Sequence, residues 1–203
     1  MMQALLHWDT ALFHLINSGW SNPVFDVVLT GARNKFVWLP LYVFCISWIL
    51  FNFTGKQSLI VLFFTVGAIF ASDTLSSSVI KYQVRRPRPC REAFMEPPVI
   101  QRVPCGGGFS FTSSHAANHF CLAAFLVTVF GRIMGRYKHF WWVWAGMVSL
   151  AQVYVGLHYP LDILCGGILG GLIGWLLGKF CRRLMHLEDP KPLMSEDAPS
   201  PVS

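Results

Sequence analysis

The sequence is short of charge. Of its 203 residues 13% are charged, where a soluble domain carries about a quarter. Hydrophobic residues make up 54% and the mean hydropathy is +0.48. That balance excludes a disordered chain and argues against a water-soluble domain. Heptad and solenoid repeats are missing. So are CxxC pairs and paired-histidine spacings, and no resident metal or other cofactor is expected. The net charge is +6, but the basic residues form no stripe along a soluble helix, which speaks against nucleic acid. Nothing marks an obligate protein partner. Residues 1–20 lack a basic leader region and contain His7, Asp9 and His14, so no cleaved signal peptide is expected.

Long apolar runs are what the sequence has in place of charge. Blocks at about 36–54, 58–80, 116–134, 140–157 and 160–178 are each near the length that crosses a bilayer. The expected fold class is all-α: an integral membrane helical bundle of about five transmembrane helices in a single domain, 1–185. Leu5, Leu6, Trp8, Leu12, Phe13, Leu15 and Ile16 cluster at helical spacing, which predicts an N-terminal helix lying in the interface, with a short extra span as the rival. The polar, Pro-containing tail 186–203 reads as disordered. Membrane lipids are the surroundings.

Segment order then places the polar residues. The second span ends near Lys81 and the third starts near His115, so both lie on one face. The fourth ends near His158 and the fifth starts near Asp162, on that same face again. The opposite face carries Lys56, Arg132, Arg136, Lys138, Lys179, Arg182 and Arg183 in short connections, which the positive-inside rule puts in the cytoplasm. The polar face is therefore expected outside the cytoplasm. Cys90 and Cys105 fall on that oxidising side, where a disulfide between them or two free thiols would fit. Cys45, Cys121, Cys165 and Cys181 lie in or beside spans and read as small hydrophobes.

Three stretches on the polar face carry chemistry. The first runs from Lys81 to Arg88-Pro89. Fixed cations where Pro87 and Pro89 stop a helix suit a multiply charged anion, since guanidinium forks bind phosphate oxygens in pairs. Taken alone it reads equally as a solvated loop beside lipid headgroups. The second is the glycine run 106–108 leading to Thr112-Ser113-Ser114-His115, a loop opening a helix. Free N–H groups at a helix start attract phosphate, although Ser113 and Ser114 would also serve as plain caps. The third joins Gln152 to His158 and Asp162. A carboxylate on one imidazole nitrogen leaves the other nucleophilic; a pair that only locks a helix end is the alternative. Cations, an amide cradle with an acid, and an oriented nucleophile are what phosphoryl transfer requires.

Together these stretches resemble the type 2 phosphatidic acid phosphatase (PAP2) superfamily of membrane lipid phosphatases, over roughly 24–180. Its motifs K-x6-R-P, P-S-G-H and S-R-x5-H-x3-D correspond to Lys81 through Arg88-Pro89, to Thr112-Ser113-Ser114-His115, and to Ala151-Gln152 through His158 and Asp162. The resemblance implies that His158 attacks phosphorus, Asp162 orients it, and His115 protonates the leaving group. It also implies that Lys81, Arg88, Ser113 and Ser114 hold phosphate oxygens, without a metal. Thr112 and Ser114 depart mildly from the pattern. Gln152 stands where the family has Arg, and Ala151 where it has Ser; Gln152 is carried as a substrate-binding residue, with Arg85, Arg86 or Arg91 as replacements for the missing charge. Five spans are expected where many relatives have six. The implied substrate is a lipid phosphate, with undecaprenyl diphosphate first, then lipid A phosphate or phosphatidylglycerophosphate, cleaved at the periplasmic face of a bacterial inner membrane. A non-catalytic lipid-phosphate binder is the rival.

Other residues carry lesser expectations. Asp73, inside the second span, is expected to position a cation or a helix. Gly166, Gly170, Gly174 and Gly178 form a small-residue ridge for helix packing. Asn118 and His119 are expected to bond between helices. Trp141, Trp142 and Trp144 are read as interfacial aromatics, as are Tyr154 and Tyr159, for which lining a headgroup pocket is the alternative.

Overall fold

A computed structural model of the chain describes residues 2–92 and 94–185; the expected tail, 186–203, lies outside the described residues. Helix α1 (Met2–His14) continues as a π-helical turn, Leu15–Gly19. It is followed by α2 (Pro23–Ala32) and α3 (Leu39–Asn52). Helix α4 (Gly55–Asp73) passes through a π-helical stretch, Thr74–Ile80, into the short α5 (Lys81–Val84). A long loop leads to α6 (Ser114–Met134), then α7 (Lys138–Tyr154) and α8 (Pro160–Leu184). Among the described residues there are no strands.

Four stretches are long and apolar enough to cross a membrane: Lys35–Asn52, Gly55–Val84, Ser114–Tyr154 and Pro160–Leu184. The third is not one rod. At about 1.5 Å per residue it would reach roughly twice the hydrocarbon thickness. It folds at the 3-10 turn Gly135–Tyr137, where Gly135 takes φ +53°. The hairpin gives two crossings, so the expected five spans stand. Side chains turned outward are large and apolar, among them Phe44, Phe51, Phe63, Phe70, Leu164 and Leu172. That is a surface suited to lipid, and the protein is an integral membrane protein.

Helices α6 and α8 run side by side in parallel. The glycine ridge explains how: a Cβ on Gly170 would collide with the Ala117 carbonyl, one on Gly174 with the Cys121 carbonyl, and one on Gly166 with Ser113 O at 2.5 Å. Close backbone approach replaces a hydrophobic driving force that lipid does not supply. The approach also brings the starts of the two helices together, and Ser113 N–H donates to the Asp162 carbonyl at 3.0 Å.

Some residues sit differently from expectation. Trp141 and Trp144 are buried, meeting edge to face beside Trp38, so they belong to the core and not to an interfacial belt. Tyr154 and Tyr159 are buried too, each under a guanidinium, Arg102 and Arg86 respectively. Burial at this depth needs a partner for each phenol ring or hydroxyl; Tyr154 finds Asp26 at 2.7 Å. Asn118 bonds across helices to Asp73 at 3.0 Å, as expected, whereas His119 bonds to its own helix at His115 O. The α4 extension is π-helical over Thr74–Ile80, where Ser76 Oγ donates back to the Asp73 carbonyl. Hydroxyls that back-bond in this way compete with the regular ladder.

Candidate active site

The turn between α7 and α8 holds His158. Gly156 opens it at φ +87°, a conformation that favours glycine. The Gln152 carbonyl accepts from both Leu157 N–H and His158 N–H. Tyr159 N–H donates to Asp162 Oδ2 at 2.8 Å, which fixes the carboxylate in the first turn of α8.

The imidazole is 2% exposed and lies between two groups. Arg88 Nη1 is 3.2 Å from Nε2, and Asp162 Oδ2 is 3.5 Å from Nδ1. A guanidinium has only donors, so Nε2 must accept and the ring proton sits on Nδ1 facing the carboxylate. The unprotonated Nε2 therefore faces the cationic side. Burial, helped by the charges of Arg88 and Lys81 and opposed by Asp162, pushes the His158 pKa down to about 4, leaving the ring neutral near pH 7.

Arg88 is buried and also donates to the carbonyls of Leu157 (3.3 Å) and Gly107 (3.1 Å). The glycine run serves as its cradle: a Cβ on Gly106 would come within 3.9 Å of its Cζ. The Cys90–Cys105 disulfide closes this loop immediately after the Arg88-Pro89 step. Burial holds the Arg88 guanidinium below its ordinary pKa, with Arg91 adding to the effect. Lys81, half-buried, is near enough to Arg88 and Asp162 for the charges to act on one another. Ser114 Oγ lies 2.8 Å from Ser77 Oγ. Ser113 is spent on capping, its Oγ accepting from Ala116 N–H at 3.4 Å. His115 is exposed on the first turn of α6 and lines a cavity of about 350 Å3. Residues from all three motifs therefore meet at one end of the bundle. Gln152 is fully buried, and neither amide atom of its side chain has a protein partner.

Two residues have roles here that the sequence reading did not assign to them. Arg86 donates to Asp162 Oδ1 at 3.0 Å and to Asp9 Oδ2 at 2.6 Å, and covers the Tyr159 ring. Asp9 Oδ1 in turn accepts Leu161 N–H at 2.8 Å. Helix α1 is thereby tied to the start of α8 through a buried ion triad. Burial raises the Asp9 pKa, against the pull of Leu161 N–H and Arg86. A signal existed: Asp9 shares a helical face with Phe13 and Ile16, and an acid buried among such neighbours needs a cation. Arg85, Arg86 and Arg91, suggested as replacements for the charge missing at Gln152, each have partners within the protein. Arg86 is held by two carboxylates, Arg91 bonds to the carbonyls of Gly106 and Gly108, and Arg85 turns back to Tyr82 O. Among the described residues no three His, Cys, Asp or Glu are grouped to hold a metal.

The chain and its fold are similar to known proteins. Lipid A 4'-phosphatase of Bacteroides thetaiotaomicron is 33% identical over 98% of this chain and 88% of its own length. The crystal structure of Aquifex aeolicus LpxE superposes with a TM-score of 0.63 at 28% identity, covering 83% of this chain and 93% of that one. The PAP2-type phosphatidylglycerolphosphate phosphatase of Bacillus subtilis shares the fold, with a TM-score of 0.66 at 22% identity over 91% of this chain and 90% of that one. The PAP2 superfamily model matches residues 57–185, most of the chain and all three motifs. On that match the chain belongs to the PAP2 superfamily.

Proposed function

We propose that this member of the family is a lipid phosphatase working through a phosphohistidine. His158 Nε2 attacks phosphorus as the bond to the lipid oxygen breaks, and His115 gives that oxygen its proton. Asp162 keeps the Nδ1 proton in place and balances the charge gained by the ring. Water, deprotonated by His115, then cleaves the phosphorus–nitrogen bond, releasing inorganic phosphate and restoring the imidazole. Lys81, Arg88, the Ser114 N–H and hydroxyl, and the Gln152 amide hold the phosphate oxygens. Ser113 contributes through the helix start it caps. The observation that carries this reading is the lone pair of a neutral His158 ring aimed at Arg88, with its other nitrogen on Asp162.

The reaction is placed at the periplasmic face of the inner membrane. Support comes from the Cys90–Cys105 disulfide beside the site, which an oxidising compartment favours, and from the basic connections at the other end of the bundle. The basic loop 81–102 does not count against this, because Arg86, Arg88, Arg91 and Arg102 are bound within the protein.

Lipid A phosphate is the first substrate reading, supported by the likeness to the lipid A 4'-phosphatase of Bacteroides thetaiotaomicron. Undecaprenyl diphosphate, the initial expectation, is the second; the cationic cavity beside His115 favours a substrate with more than one phosphate. Phosphate release from lipid A, undecaprenyl diphosphate and phosphatidylglycerophosphate, measured with a chelator present, tests the whole reading. One preferred substrate, with turnover lost in His158→Ala, is expected. Equal, poor rates on all of them would favour a binding protein, and unchanged turnover in His158→Ala would overturn catalysis at this site. Gln152→Arg is a second arm: a large gain in rate would show that the native site lacks a charge it could use.

A further inference from the structure

Arg33 follows the last residue of α2, and none of the three motifs includes it. Its backbone is tied to Leu29 and Gly31 carbonyls. Its side chain is half-buried, with Nε shielded from solvent and without a hydrogen-bond partner. Among the described residues no acid lines the cavity beside it, and Asp9 and Asp162 pair with Arg86, Asp26 with Arg102, and Asp73 with Asn118. The charges that Arg33 meets are positive. Lys35 lines the same cavity, and Arg88 is close enough for the two guanidinium charges to repel. A cation held among cations in a partly desolvated place is unfavourable until an anion arrives.

The place itself says which anion. Thr30, Arg33, Asn34, Lys35, Val103 and His115 line a cavity of about 350 Å3, ample for a phosphate. His115 forms its wall, so the cavity lies on the leaving-group side of the reaction, away from the His158–Asp162 pair. Lys35 is shared with a second cavity of about 440 Å3, an apolar slot between α3, α4, α6 and α7 lined by Tyr42, Leu62, Ile69, Leu122 and Trp144. A ligand beside Arg33 therefore sits where a headgroup gives way to hydrocarbon.

We propose that Arg33, with Lys35 beside it, binds a second phosphate of a doubly phosphorylated lipid, with the lipid chain running into the slot along α3. The proposal rests on His115 facing the leaving group. The second phosphate is either the one adjoining the scissile bond in a lipid diphosphate or a distant one on a saccharolipid phosphorylated at both ends. Guanidinium–phosphate contacts of this kind are among the stronger polar interactions.

The test measures kcat/KM on two substrate pairs. One is a polyprenyl diphosphate with the matching monophosphate; the other is lipid A carrying both phosphates with lipid A carrying only the 4'-phosphate. Wild-type protein is expected to favour the doubly phosphorylated member of one pair. Arg33→Gln lowers that preference about tenfold, Arg33→Lys keeps most of it, and Lys35→Gln, at an exposed side chain, lowers it by a smaller factor. The pair that responds identifies the source of the phosphate. A fold defect would reduce both members of a pair together and leave their ratio alone. Ratios unmoved in both pairs by Arg33→Gln and by Lys35→Gln overturn the proposal. His158→Ala run beside them is expected to abolish turnover of all four substrates; if it does not, the phosphohistidine reading fails, whatever Arg33 does.

Discussion

At the scale of the residue, the proposed reaction depends on keeping one imidazole neutral and turned the right way. His158 titrates at about 4 in the folded protein against an ordinary 6.5. The neutral form, the nucleophile of the proposed mechanism, thus prevails above about pH 5, and the acid limb of kcat/KM is expected near pH 4. The same shift links to stability. Between pH 6.5 and 4 the unfolded chain takes up the proton that the folded ring refuses, so this contribution is complete above 6.5 and is lost as the pH falls toward 4. Asp162 raises the His158 pKa, and its Oδ2 lies 3.5 Å from Nδ1. Asp162→Asn is accordingly expected to cost about 10²–10⁴ in kcat, by the precedent of carboxylate–histidine pairs. It is also expected to move the acid limb to lower pH. A pH–rate profile of the variant checks both, and a lower rate with an unmoved limb would mean that the carboxylate acts only on the fold.

The histidines, the carboxylate and the motif cations were legible because their chemistry is local: types and spacings on three segments state it. Asp9 and Arg86 were not. Each looks ordinary in its own segment, and only the packing of α1 on α8 brings them to Asp162, a contact between residues far apart in the chain. Arg33 was hidden in the same way, by the approach of the α2–α3 connection to the start of α6.

At the scale of the element, the parallel pair α6 and α8 sets the distance between motifs. The glycine ridge was readable as a spacing, and the structure adds its direction: it aligns Ser113 with Asp162 at the catalytic end. Gly170→Ala drives a methyl group into the Ala117 carbonyl, against backbone that has no room to yield. A loss of about 2–4 kcal/mol is expected, at the upper end of what overpacking costs. Thermal unfolding in detergent measures it. Gly171→Ala, where a Cβ meets nothing, is the control and should change little. Equal effects at the two positions would mean that the helices do not pack as described. The π-helical stretch in the α4 extension and the inward-facing tryptophans were not readable, because hydroxyl back-bonding and the choice between core and lipid depend on neighbours.

At the scale of the molecule, five crossings bring both loop ends of the catalytic half to one face. Segment parity gave that convergence without coordinates, since each crossing reverses the chain. Parity could not supply the depth of the site, the disulfide that closes its loop, or the N-terminal helix that braces it. The most direct measurement is to trap the intermediate: mix the protein with a lipid substrate labelled in its scissile phosphate, quench within a turnover, and locate the label. The expected result is an acid-labile, base-stable phosphoryl group on His158 that forms before inorganic phosphate appears and is absent from His158→Ala. Label on another residue, or full turnover with no bound phosphoryl group at any time, would contradict the mechanism.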